Sequence, residues 1–507
     1  MMRNILLVEP PYKTKYPPLG LMKIAAYHKR LNDRVVFVKG CIPKMQEERW
    51  DRVYVSSLFT YYWNQTVKAI EYYQNSVPRR SDVIVGGVLA TLLQDDLVST
   101  TGATVIPGLL ETPEVLDLGN KIRIDTLTPD YSILKDANFT YELQDSYIGY
   151  ATRGCPNACS FCAVKRIEPD FKGYLPLRRQ VQLIEELYGE KKNLILLDNN
   201  VLASDRFKDI IRDIKALGFE KGAKYSYRNK LGRIISVNRY VDFNQGLDAR
   251  LLTEEKMALL SEIAIKPTRI AFDDIRYRDL YEEKVRLAAK YGLVNLSNYI
   301  LYNYNDHPVD FYDRLKINVD LNDELALQIF SFPMRYVGLK SKNRLTSTSG
   351  NIGQHWNVKY LRAIQCVLIR TRGLVGTKRD YFLKAFGRDH AEFKKILLMP
   401  ESYIINRFYH EEDGSTDLWW SEVCSLSDWE RDIFEKIVCN HHFRSDDHSV
   451  FPRGVRNVLR HYNKNIDYLK NKKDNKFEKQ SIKTKPQILK FSDKIKQKVN
   501  SSEIFST

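Results

Sequence analysis

Three cysteines fall within eight positions, in the run Cys155-Pro156-Asn157-Ala158-Cys159-Ser160-Phe161-Cys162. Gaps of three and two residues let one short loop wrap three thiolates around three corners of a cubane 4Fe-4S cluster. Clusters of that kind are usually held by four cysteines. With no fourth thiol nearby one iron is left open, and an open metal position is where a reacting molecule binds. Zinc is the competing assignment, but a structural zinc site takes four protein ligands, and no histidine occurs between Cys162 and His307. A chance grouping of core cysteines is disfavoured by Gly154 and Pro156, which mark an exposed loop.

Such a loop needs rigid elements on both sides. Tyr147-Ile148-Gly149-Tyr150-Ala151-Thr152 reads as a strand leading into it, and further strand signals stand at Leu194-Leu197, Val241-Phe243, Arg269-Phe272, Asn298-Leu301 and Leu327-Phe330. Helical patterns separate most of them, at Arg178-Tyr188, Arg206-Leu217, Glu254-Glu262 and Arg278-Tyr291, which makes six β/α units. Upstream, short apolar runs at Asn4-Glu9, Val53-Ser56, Asp82-Gly87 and Ala103-Gly108 predict a doubly wound parallel sheet. Sheets of that type bind ligands beyond the carboxyl ends of their strands. Those ends carry Pro10, Pro11, Gly86, Gly87 and Gly108, which also suit tight strand-to-helix turns. Past Lys340 helical signals take over: Ser427 and Glu430 form a capping box, followed by Trp429, Ile433, Phe434, Ile437 and Val438, mostly on one face. The fold class predicted is α/β: residues 1–140 a flavodoxin-like doubly wound sheet, 141–345 a partial (β/α)6 barrel, 346–462 a mainly helical domain, and 463–507 a lysine-rich mobile tail.

A chain of 507 residues, 43% hydrophobic and 28% charged, has the composition of a globular protein with more than one core. Three bunched cysteines out of seven point to a metal site in a reducing compartment rather than to a disulfide framework. No signal peptide or membrane span is apparent, so the expectation is a cytoplasmic protein without membrane contact. The net charge of +16 favours a polyanionic partner such as nucleic acid or belongs to a solvated basic surface.

The pattern C-x-x-x-C-x-F-C directly after the first strand of six β/α units resembles the radical S-adenosylmethionine superfamily. The resemblance covers roughly residues 147–339. It implies that Cys155, Cys159 and Cys162 ligate a 4Fe-4S cluster whose open iron chelates S-adenosylmethionine. Reductive cleavage then yields a 5′-deoxyadenosyl radical that takes hydrogen from substrate, with the electron supplied by a donor such as flavodoxin or ferredoxin. It further implies that Phe161 packs near the adenine and that Asp198-Asn199-Asn200 supplies the group for the S-adenosylmethionine amine, an Asx turn being the other reading of that tripeptide. Gln245, in Asn244-Gln245-Gly246-Leu247-Asp248-Ala249-Arg250, would bond ribose hydroxyls. Arg250 would pair with a carboxylate or salt-bridge Asp248 or Asp273 instead. The first domain is similar to cobalamin-binding domains in its Pro17-Pro18-Leu19-Gly20-Leu21, Val85-Gly86-Gly87 and Pro129-Asp130-Tyr131 segments. It lacks the D-x-H-x-x-G pattern, and His28 is its only histidine, which argues against a histidine-ligated cobalamin.

An insert with Lys221, Lys224, Tyr225, Tyr227, Arg228, Lys230, Arg233 and Arg239 interleaves basic and aromatic side chains, as phosphate contact with base stacking requires; a solvated hairpin is the alternative. Arg370, Arg372, Lys378, Arg379 and Arg388 are candidates to extend that surface. Cys366, Cys424 and Cys439, with His441 and His442, are either a second cluster or buried apolar cysteines. Three functions follow: a radical enzyme acting on nucleic acid or another macromolecule, a cobalamin-dependent radical methyltransferase for a small molecule or peptide, and a non-catalytic iron-sulfur module.

Overall fold

The computed structural model describes residues 2–135, 137–342, 351–440 and 451–462; the expected tail, the boundary near Thr346, and His441 and His442 lie outside the described residues. The chain divides into two units, one of Met1–Ala271, Glu283–Leu293 and Tyr336–Asn351, the other of Phe272–Glu282, Val294–Arg335 and the chain from Ile352 onward.

In the first unit, apolar runs form β1 (Asn4–Glu9), β2 (Arg34–Lys39), β3 (Arg52–Ser57), β4 (Val83–Gly87) and β5 (Thr104–Ile106). They lie parallel in the order β2-β1-β3-β4-β5. This is the doubly wound arrangement, with strand order reversing beside β1. Central β1 buries five of its six residues, as a parallel strand covered on both faces does. Strand β2 escaped the sequence reading. It is an edge strand with charged ends, and its Val35 and Val36 are only half-buried, so its apolar signal is weaker.

A second parallel run begins with β6 (Ser146–Gly149) and β7 (Asn193–Leu196). A solvent-facing antiparallel hairpin follows, β8 (Lys224–Arg228) with β9 (Ile234–Asn238). Next comes β10 (Val241–Phe243), which pairs with β7 in the order β10-β7-β6. The series continues with β11 (Thr268–Arg269), β12 (Asn295–Tyr302) and β13 (Gln328–Arg335). Helices Leu177–Tyr188, Phe207–Ala216, Glu254–Leu260, Arg278–Lys290 and Pro308–Leu325 separate successive members. All six expected strands are therefore present in chain order with five helices between them, and β11 is shorter and begins earlier than the expected Arg269-Phe272 run. The expected Pro129-Asp130-Tyr131 segment anchors β6 to the first sheet's helix: Tyr131 Oη donates to Ser146 O at 2.9 Å, and Asp130 N donates to Met22 O at 3.0 Å.

In the second unit β12 and β13 run parallel in register from Asn295 opposite Gln328 to Tyr302 opposite Arg335. From Val358 the described chain is helical, as expected. Ser427 and Glu430 form the predicted capping box on the helix Asp428–Cys439, which buries Phe434, Ile437 and Val438. Trp429 does not join that face. It sits in the first turn and is 65% exposed. Among the described residues no helix is long and apolar enough to cross a membrane.

The ends of β3 and β4 meet at Gly87, whose φ is +108° and where a Cβ would lie 2.1 Å from Ser57 O. Glycine alone tolerates both conditions. Gly87→Ala is expected to lower stability by at least about 2 kcal/mol, read as a fall in the urea midpoint; an unchanged midpoint would refute this packing of the strand ends.

Candidate functional site

The cysteine loop leaves β6 and is pinched shut at its root. Arg153 and Lys172 exchange backbone hydrogen bonds of 3.0 and 2.8 Å, and Leu175 N donates to Ala151 O at 2.7 Å. Gly154 makes the turn with φ +70°, in a space where a Cβ would stand 2.3 Å from Asp170 O. Past it, Cys162 N bonds Cys159 O at 3.0 Å. Cys155, Cys159 and Cys162 are half-buried and unbridged. Among the described residues no three His, Cys, Asp or Glu side chains converge on a single ion. A donor set of three cysteines on one short loop fits three corners of an iron-sulfur cluster.

What fixes the loop is the end of the neighbouring strand. The parallel register sets Gly149 opposite Leu196, so Asp198-Asn199-Asn200 emerges alongside Ala151-Thr152. The Asp198 carboxylate accepts from Ala151 N at 3.0 Å, from Thr152 Oγ1 at 2.7 Å, and from Thr152 N. Asn199 Nδ2 donates to Glu168 Oε2 at 2.9 Å, and the same oxygen accepts from Gly154 N at 2.7 Å. Asn200 Nδ2 reaches Cys155 Sγ at 3.6 Å and Asp248 Oδ2 at 3.4 Å. Asp248 also accepts from Asn157 Nδ2 at 3.0 Å and holds Arg250 through two bonds of 2.8 Å. Burial pushes the Asp198 carboxyl up to about 6, against the lowering pull of its Thr152 and Ala151 donors. Burial acts on Asp248 in the same direction, but the Arg250 guanidinium and the Asn157 amide hold it below the usual carboxylate range.

Of the residues singled out from sequence, Asp198, Asn199 and Arg250 join this network. Asp198 is 1% exposed and its oxygens are engaged by the loop root. Asn199 is half-buried and keeps its carbonyl oxygen; Phe161 is half-buried between two of the cysteines; Gln245 is exposed beyond β10. Arg250 pairs with Asp248, one of the expected alternatives. Glu168, Asn157, Asn200 and Asp248 were missed as parts of one network. Their spacing in sequence carries no signal, because the contacts span separations from 14 to 91 residues.

Elsewhere the expectations divide. The predicted hairpin forms, with Tyr225 and Tyr227 rings stacked 6.1 Å apart. Arg239 is not on its surface: it is 6% exposed and bonds Glu190 and the Lys191 and Lys192 carbonyls. Arg379 pairs with Asp320 and Asp323, and Arg388 with Glu392. Cys366 is buried, and burial pushes its thiol up to about 11, whereas Cys424 is exposed. At the carboxyl ends of β1 and β3 the Tyr12 and Tyr62 rings stack at 4.9 Å, next to the Phe59 and Tyr61 pair at 5.1 Å. His28 is enclosed below, with Nδ1 2.8 Å from Asp33 and Nε2 2.9 Å from Tyr54 Oη. Both of its ring nitrogens are spent.

Among solved structures the chain is similar to two of TsrM, a radical S-adenosylmethionine methyltransferase from Kitasatospora setae. One has cobalamin and a [4Fe-4S] cluster bound: identity is 14%, 73% of this chain and 79% of that chain are covered, and the TM-score is 0.44. The other has tryptophan substrate and the analogue aza-SAM bound, with 15% identity, 73% and 77% coverage and a TM-score of 0.45. No protein-family model and no curated protein matches.

Burial raises the Asp198 carboxyl to about 6, above the ordinary carboxylate range of about 4. The folded chain thus binds the proton more tightly, and this group's contribution to stability is present below the lower value and lost as pH rises through the higher. The stability of the wild type relative to Asp198→Asn should accordingly fall between about pH 4 and pH 6 in urea titrations. A pH-independent difference would contradict the assignment.

Proposed function

We propose that this chain is a radical S-adenosylmethionine enzyme in which Cys155, Cys159 and Cys162 hold a 4Fe-4S cluster with one iron open to S-adenosylmethionine. The observation that carries the proposal is a trio of unbridged, half-buried thiols on one loop whose root is locked by the neighbouring strand end. When bound, the cluster and S-adenosylmethionine supply a one-electron cleavage that releases methionine and a 5′-deoxyadenosyl radical, which takes hydrogen from substrate.

The chain's own work is binding and orientation. Asn199, with its amide nitrogen committed to Glu168, offers its carbonyl oxygen to the ammonium of S-adenosylmethionine. Phe161 packs near the adenine, and exposed Gln245 bonds the ribose hydroxyls. Arg250 meets the carboxylate while Asp248 fixes its guanidinium plane. Asp198 holds the loop and leaves the amine to its neighbour. The exposed side of the loop receives the electron from a flavodoxin- or ferredoxin-like donor.

For the final reaction, methyl transfer with cobalamin on the first sheet is favoured over a nucleic-acid substrate. The aromatic shelf of Tyr12, Tyr62, Phe59 and Tyr61 at the strand ends suits a large planar ligand. His28 is committed to Asp33 and Tyr54, so cobalamin would bind without a cobalt ligand from that histidine. Several cations on which a nucleic-acid surface would rest are instead paired internally.

After anaerobic reconstitution with iron and sulfide, the wild type should release 5′-deoxyadenosine from S-adenosylmethionine under reductant, and Cys159→Ala should fall to the no-enzyme control. A cluster that forms without cleavage would leave the non-catalytic module as the reading. Incubation with hydroxocobalamin followed by gel filtration should give a protein-bound cobalamin absorption band, and its absence would remove the methyl-transfer assignment.

A further inference from the structure

We infer that the first unit carries a second binding site, for a small organic anion with an apolar body, in the cavity between the helices Leu19–Arg30 and Leu177–Tyr188. The cavity measures about 590 Å³ and none of the three loop cysteines lines it. That volume is ordinary for a small-molecule site. Its apolar wall is built from Leu19, Leu127, Ile148 and Leu183; Lys23 and Lys172 are paired with Asp125 and Glu111, which leaves the charge of Arg123 and Arg179 at its rim unbalanced by those acids.

Arg153 separates this cavity from a merely hydrated cleft. It is 4% exposed, and its buried Nε has no hydrogen-bond partner. Its guanidinium lies over the Tyr150 ring at 3.9 Å and faces Glu168 Oε1 at 3.0 Å and Asp125 at 3.8 Å. A buried cation short of acceptors is unfavourable, and a ligand carboxylate, phosphate or sulfonate in the cavity would stabilise its charge. The apolar wall then holds the rest of the molecule. Such an anion competes with Glu168, whose other oxygen holds Gly154 and Asn199, so occupancy is communicated to the cysteine loop. The inference does not depend on the cluster.

The test uses the full chain and two fluorescent probes, 8-anilinonaphthalene-1-sulfonate as the anion and N-phenyl-1-naphthylamine as its uncharged counterpart. The anion is expected to bind at one saturable site, at least about tenfold tighter than the neutral probe. The double variant Arg123→Gln/Arg179→Gln should weaken it severalfold. Leu183→Trp, which fills the cavity without changing charge, should abolish binding; if that variant melts early, Thr126→Trp at the exposed rim serves instead. The absence of saturable binding, equal affinity for the two probes, or unchanged affinity in the folded filling variant would each overturn the inference.

Discussion

The site depends on one constraint: a loop bearing three thiols must leave β6 through a turn that has no room for a side chain. Gly154 sits within contact of the Asp170 backbone at positive φ, and its amide is held by Glu168. The root of the loop is fixed by buried hydrogen bonds, whose loss would leave donors with no water to turn to. The parallel pairing of β6 and β7 supplies the other half, by delivering Asp198 to the Ala151-Thr152 root, Asn199 to the Glu168 carboxylate that holds Gly154, and Asn200 to Cys155. Fold and site are one arrangement here, with sheet register deciding which side chains can brace which thiol.

The thiols and their setting were readable from the chain because both signals are local. Cysteine spacing is local, and so is the alternation of apolar runs with helical periods that predicted six strand-and-helix repeats and the Tyr225 hairpin. The roles of Asp198 and Arg250 were not readable in the same way. Whether Asp198 faces a ligand or a backbone amide depends on a strand register that no spacing encodes, and the choice of Asp248 by Arg250 depends on a turn. Strand β2 was missed for a different reason. Edge strands need bury only part of their surface, and charged ends on a short run dilute the pattern.

Charge was the least informative property. The excess of basic residues suggested a polyanion, yet Arg239 is an internal tie between segments, and Arg379 and Arg388 neutralise neighbouring acids. Net charge counts residues without knowing their partners. At the cavity beside the loop root the same holds for Lys23 and Lys172, which are paired with Asp125 and Glu111, whereas Arg153 is buried with a donor left unsatisfied.

The central claim, that three thiolates leave one iron open, is tested most directly by the Mössbauer spectrum of protein reconstituted anaerobically with 57Fe, before and after addition of S-adenosylmethionine. The account predicts that one iron site of the cluster separates from the rest in isomer shift when S-adenosylmethionine is added. Irons that all remain unaffected, or a spectrum with no cluster at all, would contradict it.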